Sequence, residues 1–280
     1  MSATLSAHAA WRQYTGSVAW RTVGLFAVAF TAVCLTTAAA LVGGLSPWIA
    51  GPLNAVFIYC LFTPAHEAAH GNIKGRNLQY RWLENLVGWG STLWLTAPFP
   101  MFKRLHLTHH QHTNDPEVDP DYWASGPWYL LIFKLTTIIA DYHYHYWRYT
   151  FTLLSRPDTR KEFFTSLFGI ILIYGAGAAW WVFFGGASLL FVWILPAVAA
   201  TTVLAFAFDY LPHRPHDKRE RYTNTRILLG GKVWDALFFK QNYHLIHHLY
   251  PNVPYFHYDD VYHNVHEELV EKKAQIEQVI

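Results

Sequence analysis

The sequence predicts an all-α integral membrane protein: two transmembrane helical hairpins, four spanning helices in all, with interfacial helices and a cytosolic histidine-rich cap. Three observations predict it. Hydrophobic residues make up 52% of the 280 and charged residues only 14%, against about 25% charged in an ordinary soluble domain. Two long stretches, 22–65 and 163–208, hold no Asp, Glu, Lys, Arg or His, and a glycine-rich turn breaks each near its middle. The histidines, 17 in number, cluster outside those stretches.

The first hairpin is 22–65. A helix needs about 20 apolar residues to cross the hydrocarbon core, and Gly43-Gly44-Leu45-Ser46-Pro47 divides the stretch into two such lengths. The run after Arg21 is too long for the apolar region of a signal peptide, so it is expected to stay as a helix. Residues 66–162 follow as a cytosolic and interfacial segment. Within it, Asn85 to Phe102 is uncharged but carries Gly88, Gly90, Pro98 and Pro100, and reads as one interfacial or re-entrant helix. Trp128 to Ala140, which contains Lys134, reads as a second interfacial element. The second hairpin, 163–208, turns at Gly185-Gly186-Ala187-Ser188, and 209–280 form a second cytosolic segment. All of it, 1–280, reads as a single domain.

Every Lys and Arg lies outside the hairpins, so the positive-inside rule places both termini and both polar segments in the cytoplasm. Aromatics at 18% suit a chain anchored at membrane interfaces. A net charge of +2 gives no reason to expect nucleic acid. Cys34 and Cys60 sit inside apolar runs and read as packed thiols.

Three histidine clusters carry the chemistry. The first is His66-Glu67-Ala68-Ala69-His70, at the end of the second spanning helix. The second is His106-Leu107-Thr108-His109-His110, and the third is His244-Leu245-Ile246-His247-His248. Residues three and four apart share a helix face, so each cluster is expected to aim its imidazoles one way. Eight neutral nitrogen donors are too many for one ion and suit two. Imidazole binds iron, zinc and copper alike, so ligand type does not choose the metal. His66-Glu67-Ala68-Ala69-His70 also matches the zinc-protease signature with Glu67 as base, a membrane-protease reading that leaves six histidines idle.

Ligating imidazoles usually donate their second N–H to a carboxylate or carbonyl. Glu67, Asp115, Glu117, Asp119, Asp121 and Asp209 lie beside the clusters and are candidates, Asp209 foremost because it stands at a membrane exit. His143, His145, His216, His257, His263 and His266 fit no cluster and read as interfacial or surface residues.

With three histidine boxes spaced around two hairpins, the chain resembles the membrane fatty-acid desaturase and hydroxylase superfamily over nearly its whole length. Arg104–Asp121, Phe208–Pro215 and Gln241–Pro251 look most like the β-carotene hydroxylase branch found in cyanobacteria. The first box departs from that branch, which carries Asp after the first His and further histidines downstream. The resemblance implies two non-haem Fe ions at the boxes, O2 as co-substrate, and no catalytic residues apart from the metal site. It implies His213, in Leu211-Pro212-His213, as a ninth ligand, and Asn242 in a water-mediated or supporting role. It implies a long apolar lipid substrate drawn from the bilayer, hydroxylated on a carotenoid β-ring or, in the alternative, desaturated or hydroxylated on a fatty acyl chain. A separate electron donor, a ferredoxin, and a bacterial inner membrane with a cytoplasmic metal site complete the expectation. Lys74, Arg76, Lys103, Arg104, Arg214, Lys218, Arg219 and Arg221 near the boxes can steer an acidic donor or meet anionic lipid heads.

Overall fold

The computed structural model describes residues 11–279. The first hairpin is made by α1 (Trp20–Leu41) and α2 (Pro47–His70). Pro47 opens α2 at a position whose N–H has no intrahelical partner anyway. Gly71, with φ 79°, closes it in the left-handed conformation, and the Asn72 N–H returns to the Glu67 carbonyl at 3.0 Å. That stop leaves His66 and His70 in the last turn.

Two shorter helices follow, α3 (Arg81–Trp94) and α4 (Phe99–His112). The sequence reads as one element from Asn85 to Phe102. The chain instead breaks there: Thr96 has φ 58°, and Pro98 and Pro100 start a new helix, which becomes the carrier of the second box. Next come α5 (Trp128–Thr136) and α6 (Ile138–Leu154), then the second hairpin, α7 (Arg160–Phe184) and α8 (Gly186–His213). Helix α8 contains two π-helical turns, Leu190–Ile194 and Ala205–Tyr210. The polar end closes with β1 (Arg226–Leu229), α9 (Gly231–Leu237), α10 (His244–Leu249), α11 (Tyr258–Glu271) and β2 (Gln275–Gln278). Strands β1 and β2 pair in parallel, a small departure from an all-helical chain.

Among the described residues, four helices are long and apolar enough to cross a bilayer, and their outer faces show Val28, Leu35, Val56, Trp181, Val182 and Phe183 exposed. This is an all-α integral membrane architecture apart from that strand pair. The hairpins lock together through Asn54. Pro196 has no N–H to give the Val192 carbonyl, and the Asn54 amide donates to that carbonyl at 2.8 Å and to Thr37 Oγ1 at 3.0 Å, with Thr36 Oγ1 also bonded to the same side chain. Gly51 permits the approach, since a Cβ there would lie 2.6 Å from the Phe191 carbonyl oxygen. Around this contact Phe26, Val33, Ile58, Leu61, Val87 and Leu204 form the largest core. A second core packs Leu245, Ile246 and Leu249 of α10 against Ile227, Tyr258 and Val261. Burial of that apolar face turns the opposite, histidine-bearing face of α10 toward α2 and α4.

Candidate metal centre

Nine histidines converge at the polar ends of α2, α4 and α8 and on α10. They fall into two sets. His66, His70, His106, His110 and His247 form one; His109, His213, His244 and His248 form the other. In the first, Nε2 separations are 2.9 Å for His66–His247, 2.7 Å for His70–His106, 3.1 Å for His106–His110 and 2.7 Å for His110–His247. In the second they are 2.9 Å for His213–His244, 3.1 Å for His244–His248 and 3.3 Å for His109–His248.

These distances test whether metal fits. A neutral imidazole has one N–H and one lone pair. The other nitrogen of His247, Nδ1, lies 2.9 Å from Tyr258 Oη, while its Nε2 faces two further nitrogens. Protons on so few rings cannot satisfy every such pair, whereas a shared cation satisfies all of them. Metal–imidazole bonds of about 2.0–2.1 Å put neighbouring donors roughly 3 Å apart. The residues fit two ions.

Electrostatics agrees with ligation by neutral rings. Burial, with help from neighbouring histidines, holds His106, His110, His247 and His248 well below the usual imidazole range, and burial brings His244 down to about 3. His109 is the exception. Burial opposes its protonation, but Asp119, Asp121 and Asp209 outweigh that and raise it to about 9. Its Nδ1–H donates to Asp119 at 2.8 Å, and Asp121 lies 3.3 Å away. Asp119 is itself fixed by the N–H groups of Asn114, at 2.7 Å, and Asp121, at 2.9 Å. The Tyr142 hydroxyl donates to Asp121 at 2.6 Å, and burial raises the Asp121 carboxyl against the opposing pull of His109.

All eight box histidines and His213 lie in the two sets, although each His-x-x-His-His box divides between them rather than serving one. Asp119 is the carboxylate that touches His109. Asp209 lines the cavity beside this carboxylate group. Three other expectations find different partners. Glu67 is buried and takes hydrogen bonds from Asn72 Nδ2 and the Tyr255 N–H, both at 3.3 Å, so its carboxylate joins the first box to the loop after the third. Asp115 pairs with Arg219 at 2.9 Å on the polar surface. Asn242 donates to the Leu228 carbonyl at 3.0 Å and to Asp235 at 2.9 Å, which pins the entry of α10 to β1. His216 is buried rather than at the surface, packed against Tyr122 and Tyr210, and burial lowers it to about 4. Tyr142 and Tyr258 support the site without any sequence signal, since each is one tyrosine among 17.

A cavity and a crevice among the described residues reach the centre. The cavity reaches His66, His106, His109 and His244 and is otherwise walled largely by apolar groups, among them Phe62, Leu95, Phe102, Ile138, Leu204 and Phe208. On the polar side an open crevice of about 970 Å³ ends on His110 and His248, whose rings stack 4.2 Å apart, with Arg219, Arg221 and Asp115 on its walls.

The fold and this site together define a class of protein: a four-span membrane protein that gathers histidines from three boxes and one membrane exit at the head of an apolar cavity. The chain belongs to the fatty acid desaturase family, whose profile matches residues 43–279. It is 27% identical to a fatty acid conjugase of Calendula officinalis over 75% of this chain and 64% of that one. It is 30% identical to a beta-carotene ketolase of a Paracoccus species over 70% of each. It is 24% identical to an sn-1 oleoyl-lipid 12-desaturase of a Picosynechococcus species over 73% of this chain and 64% of the other. The chain thus spans 64% of the length of the conjugase relatives it matches. Ketolase and desaturase stand at similar distances, so identity does not single out the hydroxylase branch.

Proposed function

We propose that the chain is an O2-dependent oxidoreductase that attacks an unactivated C–H bond of a long apolar lipid, with two non-haem irons held by the nine histidines. The observation that carries this reading is the pair of histidine sets at the head of an apolar cavity. Irons held there would supply the reductive activation of O2 that such a bond requires. The chain's own part is positional. The cavity walls align the lipid and exclude water, while Asp119 fixes the tautomer of His109 and Tyr258 holds the ring of His247.

The substrate we favour is a carotenoid β-ring, supported by the ketolase relative and by the stretches around boxes two and three. A fatty acyl chain is the second reading, supported by the conjugase and desaturase relatives. The zinc-protease alternative uses the two histidines of the first box and leaves the other seven of the two sets without a role. Electrons would come from a separate ferredoxin-type donor at the polar crevice, where His110 and His248 are the accessible rings. We place that crevice, both termini and 66–162 and 209–280 in the bacterial cytoplasm, on a single domain over 1–280.

The test is expression with a ferredoxin system in a bacterium that makes β-carotene, followed by mass spectrometry of all lipids and metal analysis of the purified protein. Iron at about two per chain, with oxygen gained by carotenoids, supports the favoured reading. Acyl chains that lose two hydrogens beside untouched carotene move the substrate to the second. Zinc in place of iron overturns the oxidoreductase.

A further inference from the structure

The lining of the apolar cavity includes one imidazole that belongs to neither set. His143 of α6 lines the wall with Leu95, Thr96, Ala97 and Ile139. Its Nδ1 lies 2.9 Å from the hydroxyl of Tyr174, a residue of the membrane-spanning α7, and its Nε2 lies 3.5 Å from Thr96 Oγ1. Tyr174 stands about 21 Å along α7 from Arg160 at a rise of about 1.5 Å per residue, well inside the apolar stretch. Polar side chains at such depth pair with one another and mark substrate paths.

The hydrogen bonds here have a direction. The Trp147 indole N–H can only donate, and it donates to Tyr174 Oη at 3.4 Å. Tyr174 Oη has lone pairs enough to accept from both rings, but donating to His143 Nδ1 is the arrangement that gives its own proton a partner. That arrangement puts the proton of a neutral His143 ring on Nε2, at the cavity wall. At 3.5 Å its contact with Thr96 Oγ1 is at the long limit of a hydrogen bond. Thr96 holds φ 58°, a conformation that β-branched residues rarely adopt. Such strain is found at ligand-contact positions.

We propose that His143 is a specificity-determining residue whose Nε2–H donates a hydrogen bond to an oxygen atom of the lipid at the cavity wall. Tyr174 and Trp147 are positioning residues that keep the proton on that nitrogen. This rests on the cavity being the lipid site of the proposed function and ranks lipids that carry a carbonyl or hydroxyl oxygen above hydrocarbons of the same shape. That oxygen can belong to an acyl ester or to an oxygenated carotenoid ring.

The test is equilibrium binding to the purified full chain in nanodiscs, with two probe pairs that differ chiefly in oxygen: methyl oleate against 9-octadecene, and the 4-keto derivative of β-carotene against β-carotene. Wild type should prefer the oxygen-bearing member of one pair by about five-fold, the worth of one neutral hydrogen bond. His143→Phe should bring that ratio to about one, His143→Gln should restore part of it, and Tyr174→Phe should lower it. Preference within the oleate pair assigns an acyl ester; preference within the carotene pair assigns a ring ketone. Equal wild-type binding within both pairs overturns the proposal. So does a His143→Phe chain that binds every probe more weakly but keeps the ratio, because that result describes a structural residue. Binding needs no loaded metal, so a chain that discriminates yet oxidises nothing upholds the role of His143 and sinks the oxidoreductase reading instead.

Discussion

The second and third boxes share the pattern His-x-x-His-His, yet their helices serve the two histidine sets in opposite senses. On α4, the pair four apart, His106 and His110, enters the five-histidine set, and His109 enters the other. On α10 the pair four apart, His244 and His248, enters the four-histidine set, and His247 crosses to the first. Helical geometry explains the split. Positions i+3 and i+4 fall on either side of position i, about 100° apart around the axis. A helix aimed between two ions can therefore offer the residues at i+3 and i+4 to different ones. Each box straddles the centre, and each set takes a ring from both helices.

That exchange makes His109→Ala and His247→Ala the most damaging changes, because each withdraws the ring that crosses over. Turnover should fall below detection in both, and iron should drop from about two per chain toward one, since a two-ion site has lost a donor it shares between helices. Metal analysis of protein in nanodiscs reads this directly. A His109→Ala protein that keeps both irons and its activity would break the two-set assignment.

The crossing rings are also supported differently. His109 leans on a buried carboxylate, Asp119, at 2.8 Å, and His247 on the neutral phenol of Tyr258 at 2.9 Å. A charged acceptor makes the stronger hydrogen bond. Asp119→Asn should lower iron affinity or turnover by roughly 10- to 100-fold, the usual cost of a lost partner behind a metal ligand. Tyr258→Phe, which keeps the packing and loses one neutral hydrogen bond, should cost only about 3- to 10-fold. Measured side by side, the two variants should rank in that order. Equal losses would mean that the charge at Asp119 contributes nothing beyond geometry.

Much of this was legible in the sequence, and the parts that were not have a common cause. Charge-free lengths and glycine-rich breaks locate both hairpins because they depend on composition along the chain. The eight box histidines are legible because spacing on a helix is local. His213 came only through the family resemblance, and the structure brings it to 2.9 Å from His244. What the sequence could not show is which long-range neighbour each polar group meets. Glu67 meets Tyr255, Asn242 meets Leu228, and Tyr258 meets His247, all across turns whose geometry no spacing predicts. The helix break at Thr96 was hidden for a different reason, since an uncharged Gly- and Pro-containing run allows either one distorted helix or two.

Asp115 and Asp119 offer the finest form of the comparison. Both follow the second box, four positions apart on the same loop, and sequence alone ranks them equally. Asp119 is buried against His109, whereas Asp115 faces the crevice wall and pairs with Arg219, whose side chain is 57% exposed. An ion pair so open to water contributes about 1 kcal/mol or less. Asp115→Ala should therefore leave iron content unchanged and turnover with a small-molecule reductant within about two-fold, where Asp119→Asn does not. Turnover driven by a protein reductant is the sharper readout, because removing an acid from the crevice wall frees Arg219 to attract an acidic donor. The apparent KM for ferredoxin should fall modestly, by about two-fold, and the gain should shrink as salt rises. A loss of iron in Asp115→Ala would instead return this carboxylate to the support of the metal centre.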